Sequence, residues 1–338
     1  MLLLATGSVL ALISSGGSTR PDRPASAKRQ ATVTTGSRIA PPEPPYAVGT
    51  ILLDLSEPST EGNIVRSLPT EVRYPATGPP GAPDQTAAAP ERTPGPYPLV
   101  VFSAGYDIEP EAYASLLDSW AAAGFIVVDP VYPFTAPSSP GQLDEGDIAN
   151  HPADLSFVIT SILDAGATVG NILSGLVEPS EVGVIGHSDG GDVSLATATN
   201  SCCRDARIKA AVILSGAELT TFGGTYFSTA PVPMLVAQGT VDEINPPACS
   251  VQFYDQAPQP KYYLSLVGQS HEGPYLQVGR PLDVVAKVTL DFLNGYLRHS
   301  KSNLESIAAD GAVPGLATLT STASVGPVVG SCPGAPGG

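Results

Sequence analysis

Residues 182–191 read Val182-Gly183-Val184-Ile185-Gly186-His187-Ser188-Asp189-Gly190-Gly191. A short apolar run passes straight into Gly-x-Ser-x-Gly, and small residues follow. A β-branched, uninterrupted run of this length is what a central parallel strand needs when both of its faces are buried. Val193–Thr199 is small and apolar, as a helix packed on that sheet requires. A serine at a sharp strand-to-helix turn has its Oγ pushed clear of the sheet, and only glycine fits beside the strained backbone. In a chain with 35 glycines the five-residue pattern is weak alone, so the strand before it and the helix after it carry the reading. Ser188 is the candidate nucleophile, weighed against a helix N-cap serine that merely closes a turn.

Working outward from this turn, Val48–Leu55 and Asn63–Tyr74 read as two antiparallel edge strands, and residues 75–98 as a Pro/Gly/Ala-rich surface connection. Leu99–Ser103 and Phe125–Val128 read as strands flanking a helix over Glu109–Ala123 that Gly124 ends. Ile148–Leu163 reads as a helix, Ile208–Leu214, Pro233–Ala237 and Tyr262–Leu266 as strands, and Leu282–Leu297 as the closing helix. Strands alternating with helices predict an α/β fold: a mostly parallel, doubly wound sheet with helices on both faces. Ser215–Val232 is too short for a helical cap domain. It predicts an open groove walled by the aromatics Tyr226 and Phe227.

The chain has 338 residues and a formal net charge of −16, from 16 basic and 32 acidic side chains. No basic stripe exists to bind nucleic acid, and an acidic surface does not dock on anionic lipid by charge. Leu2 to Ile13 is an apolar run too short to span a bilayer, followed by small residues, which reads as a signal-peptide-like leader over residues 1–18. Residues 19–45 read as a Pro/Ser-rich linker, 46–300 as the catalytic domain, and 301–338 as a flexible Gly/Ala/Ser/Pro-rich tail. Export is the expected fate. Four cysteines in an exported chain predict disulfides. Bonding between the adjacent Cys202 and Cys203 would strain the peptide, so either is expected to pair with Cys249 and the other to reach Cys332. Metal-ligand spacing is missing, and no metal or cofactor is expected.

A serine hydroxyl needs a base, and the base needs a third group to orient it. Four histidines allow elimination. His187 lies inside the turn and must point away from the nucleophile. His299 sits at the end of the closing helix, and His151 opens a helix before the turn. His271 lies in Gly268-Gln-Ser-His-Glu-Gly-Pro274, directly after the last strand, where such sheets place their chemistry. His271 is the candidate base. The strand between nucleophile and base ends in Gln238-Gly-Thr-Val-Asp-Glu-Ile-Asn-Pro246, which makes Asp242 the candidate acid and Glu243 the runner-up. Two backbone donors must face the developing oxyanion. Asp189 supplies one, and Tyr106, in Ser103-Ala-Gly-Tyr-Asp107, supplies the other. A carboxylate beside a forming negative charge is awkward, so the Asp189 side chain is expected to turn outward, solvated or paired.

Taken together, Arg73-Tyr-Pro75, Val100-Val-Phe-Ser-Ala-Gly-Tyr106, Gly186-His-Ser-Asp-Gly-Gly191, Gly239-Thr-Val-Asp-Glu243 and Ser270-His271 resemble the run of secreted bacterial α/β-hydrolases. Dienelactone-hydrolase-like, cutinase and polyester-hydrolase, and platelet-activating-factor acetylhydrolase-like enzymes are the relatives this pattern suggests. The resemblance implies an α/β-hydrolase fold and carboxylic ester hydrolysis through an acyl-enzyme, without cofactor, on a lipid, polyester or other bulky ester. It also implies that Tyr106 clamps substrate. Ala104 stands where a histidine usually precedes the oxyanion glycine, and the sole tryptophan, Trp120, lies in a helix instead of opposite the clamp. A peptidase or amidase of the same fold, and a secreted binding protein that keeps the fold without catalysis, are the competing readings.

Overall fold

The computed structural model describes residues 44–58, 65–326 and 330–332, so the leader and most of the linker read from the sequence lie outside the described residues. In chain order the elements are β1 (Ala47–Pro58), β2 (Val65–Ala76), β3 (Gln85–Thr86), β4 (Tyr97–Ser103), α1 (Ala114–Ala122), β5 (Ile126–Pro130), α2 (His151–Ala167), β6 (Val177–His187), α3 (Asp189–Thr199), β7 (Ile208–Leu214), β8 (Met234–Gly239), α4 (Pro247–Gln256), β9 (Lys261–Leu266), α5 (Gly273–Leu276), α6 (Arg280–Leu297), α7 (Lys301–Asp310) and β10 (Ala317–Thr320). They form one 10-stranded sheet in the order β10-β9-β8-β7-β6-β4-β5-β2-β1-β3. Strands β5, β4, β6, β7, β8 and β9 run parallel, while β2 and β10 pair antiparallel at the two flanks.

Why these segments form buried strands is visible in β4, where all of Tyr97–Ser103 is buried. Successive side chains alternate between faces. Leu99 and Val101 join the core under α2, α3 and α4, with Leu155, Ile159, Val193 and Phe253. Val100 and Phe102 join the opposite core under α1 and α6, with Leu117, Trp120, Val288 and Phe292. The indole N–H of Trp120 donates to Thr289 Oγ1 at 2.9 Å, so this large core residue brings no unpaired polar group. Arg73 on β2 is 2 % exposed and pairs with Asp129 on β5 at 2.7 Å, tying the antiparallel flank to the parallel sheet.

Three expectations need correction. Asn63–Tyr74 reads as an edge strand, but β2 lies between β1 and β5. Where a flexible tail is expected over 301–338, the described residues carry α7 and β10. Ser300 caps α7 by accepting from the Asn303 N–H, and β10 registers on β9 with Thr318 opposite Ser265. The cysteine pairing also differs. Cys249 on α4 bonds Cys332, and Cys202 bonds its neighbour Cys203. The chain beyond β10 runs back over α4, where Tyr254 Oη donates to the Thr322 carbonyl, and this brings Cys332 to Cys249. No helix among the described residues is long and apolar enough to cross a membrane.

Candidate active site

β6 hands the chain to α3 through Ser188, whose φ of 56° and ψ of −126° are a strained conformation for a residue with a side chain. Such strain costs about 1–3 kcal/mol and persists only where the surroundings over-determine it. Here they do. Ser188 N donates to the Leu214 carbonyl on β7, and the Ser188 carbonyl accepts from Asp192, both at 3.0 Å. A side chain on Gly186 would occupy the space of the Gly190 carbonyl, and one on Gly190 that of the Ser103 carbonyl. Only glycines let α3 start this close to β4 and β6.

The loop after β8 carries Asp242, which is 4 % exposed. Its Oδ1 accepts from the backbone N–H groups of Ile244 and Asn245 at 3.0 and 2.9 Å, and its Oδ2 accepts from Gln238 Nε2 at 3.0 Å. His271 Nδ1 lies 3.0 and 2.9 Å from the two carboxylate oxygens. Burial pushes the Asp242 carboxyl up, but the hydrogen bond and charge of His271, with Ser215 and the Asn245 amide, outweigh it and hold the group below its ordinary value. Gly239 makes the approach of the two loops possible, because a Cβ there would meet the carbonyl oxygens of Gln269 and Ser270. Glu243, the runner-up acid, is exposed and makes no bond to His271.

His187 spends both ring nitrogens on Tyr113 and the His271 carbonyl, a role that is not legible from the sequence. It is fully buried, with its ring centroid 4.7 Å from that of His271. Nε2 donates to the His271 carbonyl at 3.0 Å, which leaves Nδ1 to accept from Tyr113 Oη at 2.7 Å. Tyr113 Oη in turn accepts from Gly105 N at 3.3 Å. One chain of hydrogen bonds thus joins the loop after β4, the residue before Ser188 and the backbone of His271. Burial, and then the neighbouring His271, push His187 down to about 3, so it stays neutral. The remaining histidines are employed elsewhere. His151 stacks on Tyr132, with ring centroids 4.3 Å apart, and His299 pairs with Glu181 at the surface.

Asp189 opens α3, where backbone N–H groups lack intrahelical acceptors. The Tyr106 N–H likewise has no backbone acceptor among the described residues. The Asp189 carboxyl departs from expectation, because it is neither paired nor fully solvated. The residue is half-buried, and its Oδ2 is buried without a hydrogen-bond partner. Burial and the charge of Glu145, opposed by His271, push it up to about 7. The shift makes this carboxyl easier to protonate than an ordinary aspartate.

Tyr226 and Phe227 are not brought to Ser188. Tyr226 bridges to Asn200, just past the end of α3, and Phe227 N donates to the Thr199 carbonyl. Eleven residues of helix place that end about 16 Å from Ser188. The Tyr226 hydroxyl is occupied by the backbone of Leu219, at 3.1 and 3.3 Å, so the loop folds along α3, and the cavity of about 350 Å³ that Tyr226 lines lies beside Glu218, Leu219 and Gln256 and includes none of Ser188, Asp242 and His271. Exposed apolar side chains flank the site instead: Phe134 and Leu143 in the loop after β5, and Val241 and Ile244 in the loop after β8. Among the described residues, Asp147, His151 and Asp154 could together hold a metal ion. Arg66 already lies 2.6 Å from both carboxylates and supplies the positive charge there.

A strained serine turn after the central strand of a mostly parallel sheet, with an Asp–His pair on loops after later strands, is the arrangement of the α/β-hydrolase fold. A family model described as Chlorophyllase matches residues 65–216. The chain is also similar to the solved structure of a ferulic acid esterase from Streptomyces cinnamoneus, at 21 % identity and a TM-score of 0.60, covering 78 % of this chain and 94 % of that one. That likeness bears on the fold. A search of curated proteins found no match.

Proposed function

We propose that the protein is a serine hydrolase of carboxylic esters. The observation that carries this reading is the strained Ser188 turn at the carboxyl edge of the sheet, combined with the Asp242–His271 pair held at 2.9 Å. His271 Nε2 takes the Ser188 proton as Oγ attacks the ester carbonyl. The N–H groups of Tyr106 and Asp189 stabilise the oxyanion. His271, now protonated and steadied by Asp242, returns the proton to the leaving alcohol, and water repeats the sequence on the acyl-enzyme. His187 holds the His271 backbone against the oxyanion loop throughout. The exposed apolar residues on both sides of the nucleophile favour esters with one bulky apolar or aromatic arm. That preference agrees with the names of the matching family, Chlorophyllase, and of the structural neighbour, a ferulic acid esterase. Two disulfides favour an oxidising compartment, in keeping with the expected export.

The test is Ser188→Ala against a series of p-nitrophenyl esters of increasing acyl size, with fluorophosphonate labelling of both proteins. Loss of turnover and of labelling is the expected result. Turnover retained at a tenth or more of the parent rate refutes Ser188 as nucleophile.

A further inference from the structure

Behind Asp242 lies a second cavity, of about 450 Å³. Its floor follows from strand register. Gln238 on β8 stands opposite Ser265 on β9, and Ser265 stands opposite Thr318 on β10, so the three polar side chains share one face in a single row. Tyr263 and Val251, from β9 and α4, wall the cavity, and Val325 of the C-terminal segment closes it. Among the described residues, no charged side chain lines it.

Gln238 is the informative residue. It is 0 % exposed. Its Nε2 faces three acceptors: the Gly239 carbonyl at 3.2 Å, and Asp242 Oδ2 and the Asn245 carbonyl at 3.0 Å. That setting fixes the amide orientation, because a carbonyl oxygen turned toward three acceptors would be repelled by each of them. Oε1 is therefore directed away from Asp242, and it is buried with no partner among the described residues. A buried acceptor left unpaired costs about 1–3 kcal/mol. A donor entering the cavity removes that cost.

We propose that this cavity binds a small neutral polyol or monosaccharide, one hydroxyl of which donates to Gln238 Oε1. The volume suits a pentose or hexose, small-molecule sites spanning roughly 300–1,000 Å³. The orphan acceptor calls for a donor. The hydroxyls of Ser265 and Thr318 offer further partners, and the uncharged lining offers nothing to an ion. Because the same amide donates to Asp242, occupancy holds the triad acid from behind. The proposal stands whether or not Ser188 is a nucleophile.

Calorimetric titration and saturation-transfer NMR on the full chain, with D-xylose, D-glucose, myo-inositol and glycerol as probes, test it. Saturable binding of at least one probe is expected, equal in the parent protein, in Ser188→Ala and in fluorophosphonate-treated protein. Thr318→Trp fills the exposed rim and should weaken that binding about tenfold or more. Ser265→Ala, which removes one hydroxyl with little volume change, serves as the second variant and should weaken it severalfold. No saturable binding of any probe overturns the proposal. So does binding unchanged in both variants, or binding abolished by the fluorophosphonate, which would place the probe in the ester cleft.

Discussion

Asp242→Asn tests the hydrogen-bond logic of the site most directly. Oδ1 of Asp242 accepts two backbone N–H groups, from Ile244 and Asn245, so the carbonyl oxygen of an introduced asparagine must take that place. Its amide group then falls where Oδ2 was, facing Gln238 Nε2 and His271 Nδ1. Two donors oppose each other at Gln238. At His271, Nδ1 is forced to accept, which moves the imidazole proton to Nε2 and removes the base that Ser188 needs. An imidazole trapped in this tautomer lowers turnover by about 10³–10⁴ in serine hydrolases, about 4–5.5 kcal/mol of lost transition-state stabilisation. The assay is kcat on a p-nitrophenyl ester across pH 6–9, with a thermal melt to show that the variant is folded. A folded variant with less than a tenfold loss in kcat refutes the assigned role. A loss confined to Glu243→Gln would transfer the role to that neighbour.

Acid sensitivity should come partly from His187. Its value falls from 6.5 unfolded to about 3 folded, so the unfolded chain binds the extra proton between those limits. The stability it contributes is fully present above pH 6.5 and is lost progressively toward pH 3, up to about 4–5 kcal/mol in all. Urea unfolding at stepped pH should show this slope, and His187→Gln should flatten it. Asp189 works in the other direction on catalysis. Its carboxyl, pushed up to about 7, ionises beside the oxyanion as pH rises. Asp189→Asn should therefore raise kcat at pH 8.5 by about fivefold, for ~1 kcal/mol of relieved repulsion, and leave kcat at pH 5.5 nearly unchanged; equal effects at both pH values would refute this. The Cys249–Cys332 bond spans a sequence separation of 83. Its removal by Cys249→Ser should cost about 4–5 kcal/mol on chain-entropy grounds, read as a Tm drop of roughly 10 °C.

Most of the parallel sheet could be read from the sequence, because its strands are dense local runs. The apolar run Ile208–Leu214 has the same bounds as β7. Elements defined by distant partners could not. β10 is a small Thr-containing stretch that becomes a strand only through pairing with β9. α4 begins Pro-Ala-Cys-Ser, too weakly apolar to announce its buried stripe of Cys249, Phe253 and Tyr254. α7 did carry a signal, the cap at Ser300, which the low-complexity composition after it obscured. In the site, turn chemistry and strand order pointed to Ser188, Asp242 and His271. The partners of His187 lie 74 and 84 residues away, and no local pattern could connect them. Tyr226 and Phe227 misled because aromatic character says nothing about which end of a helix a loop will meet.

The C-terminal segment bears on how the protein can be cut. Lys261, only 3 % exposed, donates to the carbonyls of Tyr254, Asp255 and Ala323, and β10 shields the hydrogen-bonding edge of β9. A shortened chain ending near residue 300, where composition alone would draw the limit of the enzyme, strips that shield. It bares a parallel strand with unpaired amides and leaves an ammonium short of one of its acceptors. Open strand rims of this kind recruit other chains, so such a truncation should yield inclusion bodies and not a minimal catalyst.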